Sequence, residues 1–173
     1  MKTKYDTLTT DSIITINTSL DQLLDDLADH LEAITRTQTQ HATDNSHDPD
    51  RKLCRKAHIY ADTLYHIMTV ASPSAVIESY QTKCHNVLTT LTEALSAHAP
   101  AYYTFGNYET DYYGFYPDLH AIQNDIQDGT LPVCNDHDPP ANYAQYVTIN
   151  DHGNLTLYTL KQDGTFTQYL SIV

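Results

Sequence analysis

Leu20, Leu23, Leu27, Leu31 and Ile34 recur at steps of three and four residues within "SLDQLLDDLADHLEAI". That spacing gathers all five on one stripe of an α-helix, whereas the period of two in a strand would scatter them over both faces. Ser19 and Gln22 stand where a capping box places its two side chains, on the first free backbone N–H groups. Asp21, Asp25, Asp26, Asp29 and Glu32 fill the remaining faces. A helix with a single apolar stripe is stable only when that stripe is covered, so the chain must supply further elements to pack on it.

The rest of the N-terminal hundred residues supplies them. Segment 35–48 is polar and aperiodic and is expected to be a loop. Asp48-Pro49 opens a second helix, with Asp as N-cap and Pro at the first helical position. Its stripe is Leu53, Ala57, Tyr60, Leu64, Ile67 and Ala71. Ser72-Pro73 repeats the device for a third helix, which carries Ile77, Tyr80, Cys84, Val87, Leu91 and Leu95. Ala99-Pro100 closes it, because a residue before proline avoids the helical region. Residues 1–99 are therefore expected to form a three-helix bundle.

After Pro100 the texture changes. "AYYTFGNYETDYYGFYPD" (101–118) is dense in aromatics, of which about half are expected to pack a core. "DLHAIQNDIQDG" (118–129) reads as a short helix capped by Asp118 and closed by Gly129, with Leu119, Ile122 and Ile126 as its stripe. "CNDHDPPAN" (134–142) is a loop. Three strand-like runs follow, Gln145–Asn150, Leu155–Leu160 and Thr165–Val173, with Gly164 supplying positive φ in the last turn. Phe166, Leu170 and Ile172 alternate with polar residues and are expected to share one buried face. The fold class is α+β: an N-terminal three-helix bundle (1–99), then an α+β region (100–173) with a short helix and a three-stranded antiparallel β-meander.

Charge narrows the function. The net charge is −13, and residues 84–173 hold ten acids against one base, Lys161. Such a field opposes direct binding to nucleic acid, which needs Lys and Arg on the phosphates. It favours basic protein partners and salt-sensitive association with them. A 40% hydrophobic fraction is enough for a core. No apolar run reaches the length of a membrane span, and the first residues do not read as a secretory signal, so a cytoplasmic location is expected. Cys54, Cys84 and Cys134 are odd in number and widely spaced, which reads as free thiols in a reducing compartment.

"YGFYPD" (113–118), "VTINDHGNLTLY" (147–158) and the closing aromatic-to-"IV" run resemble small acidic proteins encoded by bacteriophages and mobile elements. In these, an F-G-F-W-P-like element precedes a short acidic helix, and a V-N-D-H-G-N-x-T-L-Y strand pair closes the chain. The resemblance covers about residues 103–173, leaves the helical half outside, and has Tyr116 in place of the tryptophan. It implies a phage or mobile-element origin and a bacterial cytoplasm, and it assigns no catalytic residue.

Several side-chain groups compete for a functional role. Asp21, Asp25, Asp29 and Glu32 form an acidic row at helical spacing, with neighbours roughly 6 Å apart. Phosphates along a DNA strand are similarly spaced, so such a row is able to imitate a nucleic-acid backbone. Tyr108, Glu109, Asp111, Tyr112 and Tyr113 combine aromatics with acids, which suits a protein-binding surface. The bases of "RKLCRK" (51–56) invite contact with acids, of the first helix or of a partner. Cys54, His58 and Cys84 are a second candidate, for zinc, since residues four apart on a helix can chelate one ion. Against it, Cys84 already belongs to an apolar stripe. Asp151-His152 is a third, for hydrolysis, but adjacent residues in a turn point apart, and Asn, Asp and Gly there suit a hairpin loop.

The expectation is a non-enzymatic acidic inhibitor with no cofactor, no metal and no membrane partner. It would occupy the basic groove of a host nuclease or other nucleic-acid-handling protein, as an anti-CRISPR or similar anti-defence protein does. The acids of the first helix, Tyr108, Glu109, Asp111, Tyr112 and Tyr113 would make the contact. The alternatives are a zinc or hydrolytic protein on the sites above, and a structural module that forms a homodimer.

Overall fold

Two sets of secondary structure divide the chain: three long helices with a small sheet in Met1–Tyr116, and a short helix with a β-meander in Pro117–Val173. The computed structural model describes residues 14–15, 19–38, 48–70, 72–108, 112–134 and 140–172.

In the first unit, α1 spans Leu20–Gln38, α2 Pro49–Thr69 and α3 Ser74–Ala97. The apolar stripes meet in one cluster. Leu24, Leu27, Ala28 and Leu31 of α1, Ala57 and Leu64 of α2, and Cys84, Leu91 and Leu95 of α3 are all fully buried. Each buried leucine contributes about 1.5–3 kcal/mol relative to an exposed one. On α2 the innermost line is Cys54, Ala57, Ala61 and Leu64, so the small residues face the core while Leu53 and Tyr60 lie on its flanks.

The local signals act much as their chemistry dictates. Asp48 caps α2, its Oδ1 accepting the Asp50 N–H at 2.9 Å, with Pro49 at the first helical position. The threonines of α3 do not break it, because Thr82, Thr89, Thr90 and Thr92 each donate their hydroxyl to the carbonyl four residues back. Two expectations are corrected. α1 runs on to Gln38, through the first four residues expected to be loop, where Thr35 is buried and bonds the Glu32 carbonyl and Arg36 pairs with Glu32. Ser72 is not the cap of α3. Pro73 takes that position in an extended conformation, with no side-chain hydrogen bond, and the helix starts at Ser74.

The aromatic segment after Pro100 forms strands. β2 (Tyr103–Tyr108) and β3 (Tyr112–Pro117) lie in one sheet with β1 (Ile14–Thr15), in the order β1-β3-β2. Phe105 and Phe115 join the helical core and meet edge-on at 5.0 Å, with the His30 ring of α1 stacked 6.3 Å from Phe105. Ser96 of α3 donates to the Phe105 carbonyl at 2.9 Å. These contacts bind the strands to the helices, so the division falls at Tyr116/Pro117 where the sequence reading placed it at 99/100.

In the second unit, Asp118 caps α4 (Leu119–Gln127) through the Ala121 N–H at 3.0 Å, and Gly129 follows with φ +73°. Ile122 is fully buried, but Leu119, expected in the stripe, is exposed. β4 (Gln145–Ile149), β5 (Leu155–Leu160) and β6 (Phe166–Ile172) form the antiparallel meander in that order. Residues 132–134 lie along β4, where Val147 N–H donates to the Pro132 carbonyl at 2.9 Å. That contact covers an edge otherwise open to strand addition.

The alternation in β6 is broken. Leu157 pairs with Leu170, but Tyr158 pairs with Gln168, which leaves Tyr169 as an extra residue in a bulge. Leu170 therefore faces with Val147 and Leu157, all three buried. Phe166 falls on the opposite face, edge-on to Tyr146 at 4.8 Å, beside the stacked Tyr146–Tyr158 pair. The expected single face of Phe166, Leu170 and Ile172 does not form, because one inserted residue reverses every side chain beyond it.

Candidate functional site

The acidic row of α1 is not a freely solvated face. His58 of α2 reaches into it. Its Nδ1 donates to Asp25 Oδ1 at 2.8 Å, and its Nε2 stands 3.6 Å from Asp29 Oδ1. Glu32 Oε1 accepts from Arg36 at 2.8 Å, one turn further along α1. Asp29 is exposed, while Asp21, Asp25, Glu32 and His58 are half-buried. Asp29, Glu32 and His58 bring one ligand atom each to within 4.8 Å of one another. α2 thus meets these acids through a histidine. Among the described residues, Arg51, Lys52, Arg55 and Lys56 form no ion pair, and Lys56 lies over the Tyr60 ring at 5.6 Å.

No known protein family, curated protein or solved structure matches this chain.

The second group proposed for partner contact divides. Tyr112 is exposed at the start of β3. Tyr113 is half-buried, its ring 6.4 Å from Phe105, and packs on the helical core. Glu109 and Asp111 lie outside the described residues, as does the side chain of Tyr108, which is described only as the last residue of β2.

Cys54 and Cys84 are buried in the helical core, while His58 turns to α1, so the three are not assembled as a ligand set. Burial, reinforced by Glu32, Asp50 and Asp48, pushes the Cys54 thiol up to about 11. Burial and then Asp21 push the Cys84 thiol up as well. A thiol held protonated is a poor nucleophile and a poor ligand.

Asp151 and His152 are both exposed, and no hydrogen bond or ion pair joins them. The loop is organised by Asn150. Its Oδ1 accepts from the backbone N–H groups of His152 at 3.0 Å and Asn154 at 2.9 Å, while Gly153 adopts φ +83°. Beside it, Cys134, Thr148, Asn150, Asn154, Thr156 and Tyr158 line an open depression of about 220 Å³. That lining offers hydroxyls, amides and one thiol, with no base beside a nucleophile.

The contact missed from sequence is the one between Asp25 and His58. Its trace is a lone histidine on the flank of one helix and carboxylates four apart, Asp25 and Asp29, on another. Reading it requires the register of α1 against α2, which spacing within either helix does not carry.

Proposed function

We propose that this chain is a non-catalytic acidic binding protein that docks on a basic surface of another protein, of the kind that otherwise holds nucleic acid. The observation that carries the reading is the acid excess of the second unit. Residues 117–173 hold seven acids against Lys161 alone, and Asp128, Asp151 and Asp163 are exposed at three separate turns. The α1 row adds Asp29 on the first unit, and the exposed ring of Tyr112 offers an aromatic anchor. Dispersed acids on a small frame steer a basic partner and compete with phosphates for its cations. The resemblance of residues 103–173 to phage proteins fits an inhibitor of a host nuclease, which is the finer form of the proposal.

Capture from bacterial lysate on the immobilised full chain, eluted by a salt gradient, tests it. The expected catch is a basic nucleic-acid-binding protein released by salt and displaced by duplex DNA. Affinity that stays flat up to about 0.5 M salt, where the screening length falls to a few Å, would sink the reading. So would a partner that binds DNA and this chain at once.

A further inference from the structure

The cluster on α1 and α2 holds more than acids. An imidazole from α2 stands against two carboxylates placed three residues apart on α1, and each of the three offers a ligand atom within 4.8 Å of the others. We propose that Asp29, Glu32 and His58 bind one divalent transition-metal ion, of the zinc class, with Asp25 holding the histidine in the ligating form.

The state of His58 supports this beyond proximity. An ionised carboxylate only accepts, so the 2.8 Å contact with Asp25 places the proton on Nδ1. In the neutral ring Nε2 then carries the lone pair, and it is Nε2 that faces Asp29. At 3.6 Å that pair is too long for a hydrogen bond but suits two ligands sharing an ion, given metal–ligand bonds of about 2.0–2.2 Å in roughly tetrahedral geometry. A carboxylate behind the ring, a ligating nitrogen in front, is the usual way in which a metal-binding histidine is oriented.

The donor set selects the ion. Magnesium and calcium prefer oxygen alone, while one imidazole with two carboxylates suits zinc and its neighbours. Glu32 Oε1 is shared with Arg36, an exposed pair one turn apart that a divalent ion displaces readily. The net charge of −13 raises the local concentration of cations. Asp29 is the most exposed of the three, so three protein ligands leave the fourth position open to water or to a partner's side chain. The site does not rest on the docking proposal. Its test uses the metal alone.

Titration of the full chain with Zn2+ by calorimetry, and with Co2+ by visible absorption, reads the site directly. One ion per chain is expected. His58→Ala and Asp29→Asn are each expected to remove that stoichiometric binding and the Co2+ band, and Asp25→Asn to weaken it by about 10–100-fold. His85→Ala, on the exposed face of α3, should leave it unchanged. All four positions lie outside the fully buried core, and far-UV circular dichroism confirms the fold of each variant. Absence of stoichiometric binding in the wild type overturns the proposal. Binding that survives both His58→Ala and Asp29→Asn overturns it equally, because the ion is then held elsewhere.

Discussion

Nε2 of His98 lies 2.8 Å from Oδ2 of Asp50, joining the C-cap residue of α3 to the first turn of α2. Both side chains are largely shielded from water, at 15% and 24% exposure, and the other ring nitrogen, Nδ1, is buried with no partner among the described residues. The contact therefore stands in for solvent at two helix ends at once. A hydrogen bond to a charged acceptor in such a place contributes about 1.5–3 kcal/mol. Asp50→Ala is expected to destabilise the first unit by that order, since it also removes an acid from the positive end of α2. Chemical denaturation followed by helical circular dichroism measures it, and a change under about 0.5 kcal/mol would mean the pair is dispensable.

His30 sets a pH response in the same unit. Burial lowers its pKa, and its ring sits 6.3 Å from Phe105 and 6.1 Å from Phe115. The unfolded chain binds a proton at this ring near pH 6.5, and the folded chain does so only at lower pH. Its contribution is thus intact above pH 6.5 and lost as pH falls below that value. Melting curves from pH 7.5 to 5 are expected to show a slope that His30→Gln flattens. An unchanged slope in the variant would assign the response to other groups.

The three thiols are expected to react at very different rates. Cys54 and Cys84 are buried with raised pKa, whereas Cys134 is half-buried in the second unit. The thiolate is the reacting species, so only Cys134 should be modified promptly by a disulfide reagent at neutral pH. The other two should follow at the rate at which the helical core opens. Rapid modification of two or three thiols in the native protein would contradict this burial.

How much of this was legible depends on how far each feature reaches along the chain. Asp48-Pro49 and Asp118 act on N–H groups two and three residues away, and both caps form as read. The meander is legible for the same reason: Gly153 and Gly164 stand at positive φ in short turns between alternating runs. The β3 strand was hidden by aromatics on consecutive positions, Tyr112-Tyr113 and Phe115-Tyr116, which blur a period of two. Phe166 was misassigned because a bulge at Tyr169 leaves no mark in composition. The pairing of Asp25 with His58 spans 33 residues, and the face that each helix turns to the other is set by packing of the whole core. Local signals thus carried the elements, and the candidate site arose from contacts between them.

The loop between β4 and β5 gives the sharpest contrast among neighbouring residues. Asn150 Oδ1 accepts two backbone N–H groups, and the Asn150 N–H itself bonds the Asn154 carbonyl at 3.1 Å. Asn150→Ala leaves those two donors to water and is expected to cost about 1–2 kcal/mol of second-unit stability. Gly153 sits at φ +83°, where a Cβ meets no neighbouring atom, so Gly153→Ala isolates the backbone penalty and is expected to cost about 1 kcal/mol. His152 uses only its backbone here and its side chain is exposed, so His152→Asn should change stability by less than about 0.5 kcal/mol. Denaturation followed by tyrosine fluorescence or amide exchange in β4 and β5 ranks the three. If His152→Asn proved as damaging as Asn150→Ala, the histidine side chain would have a role that turn geometry does not supply.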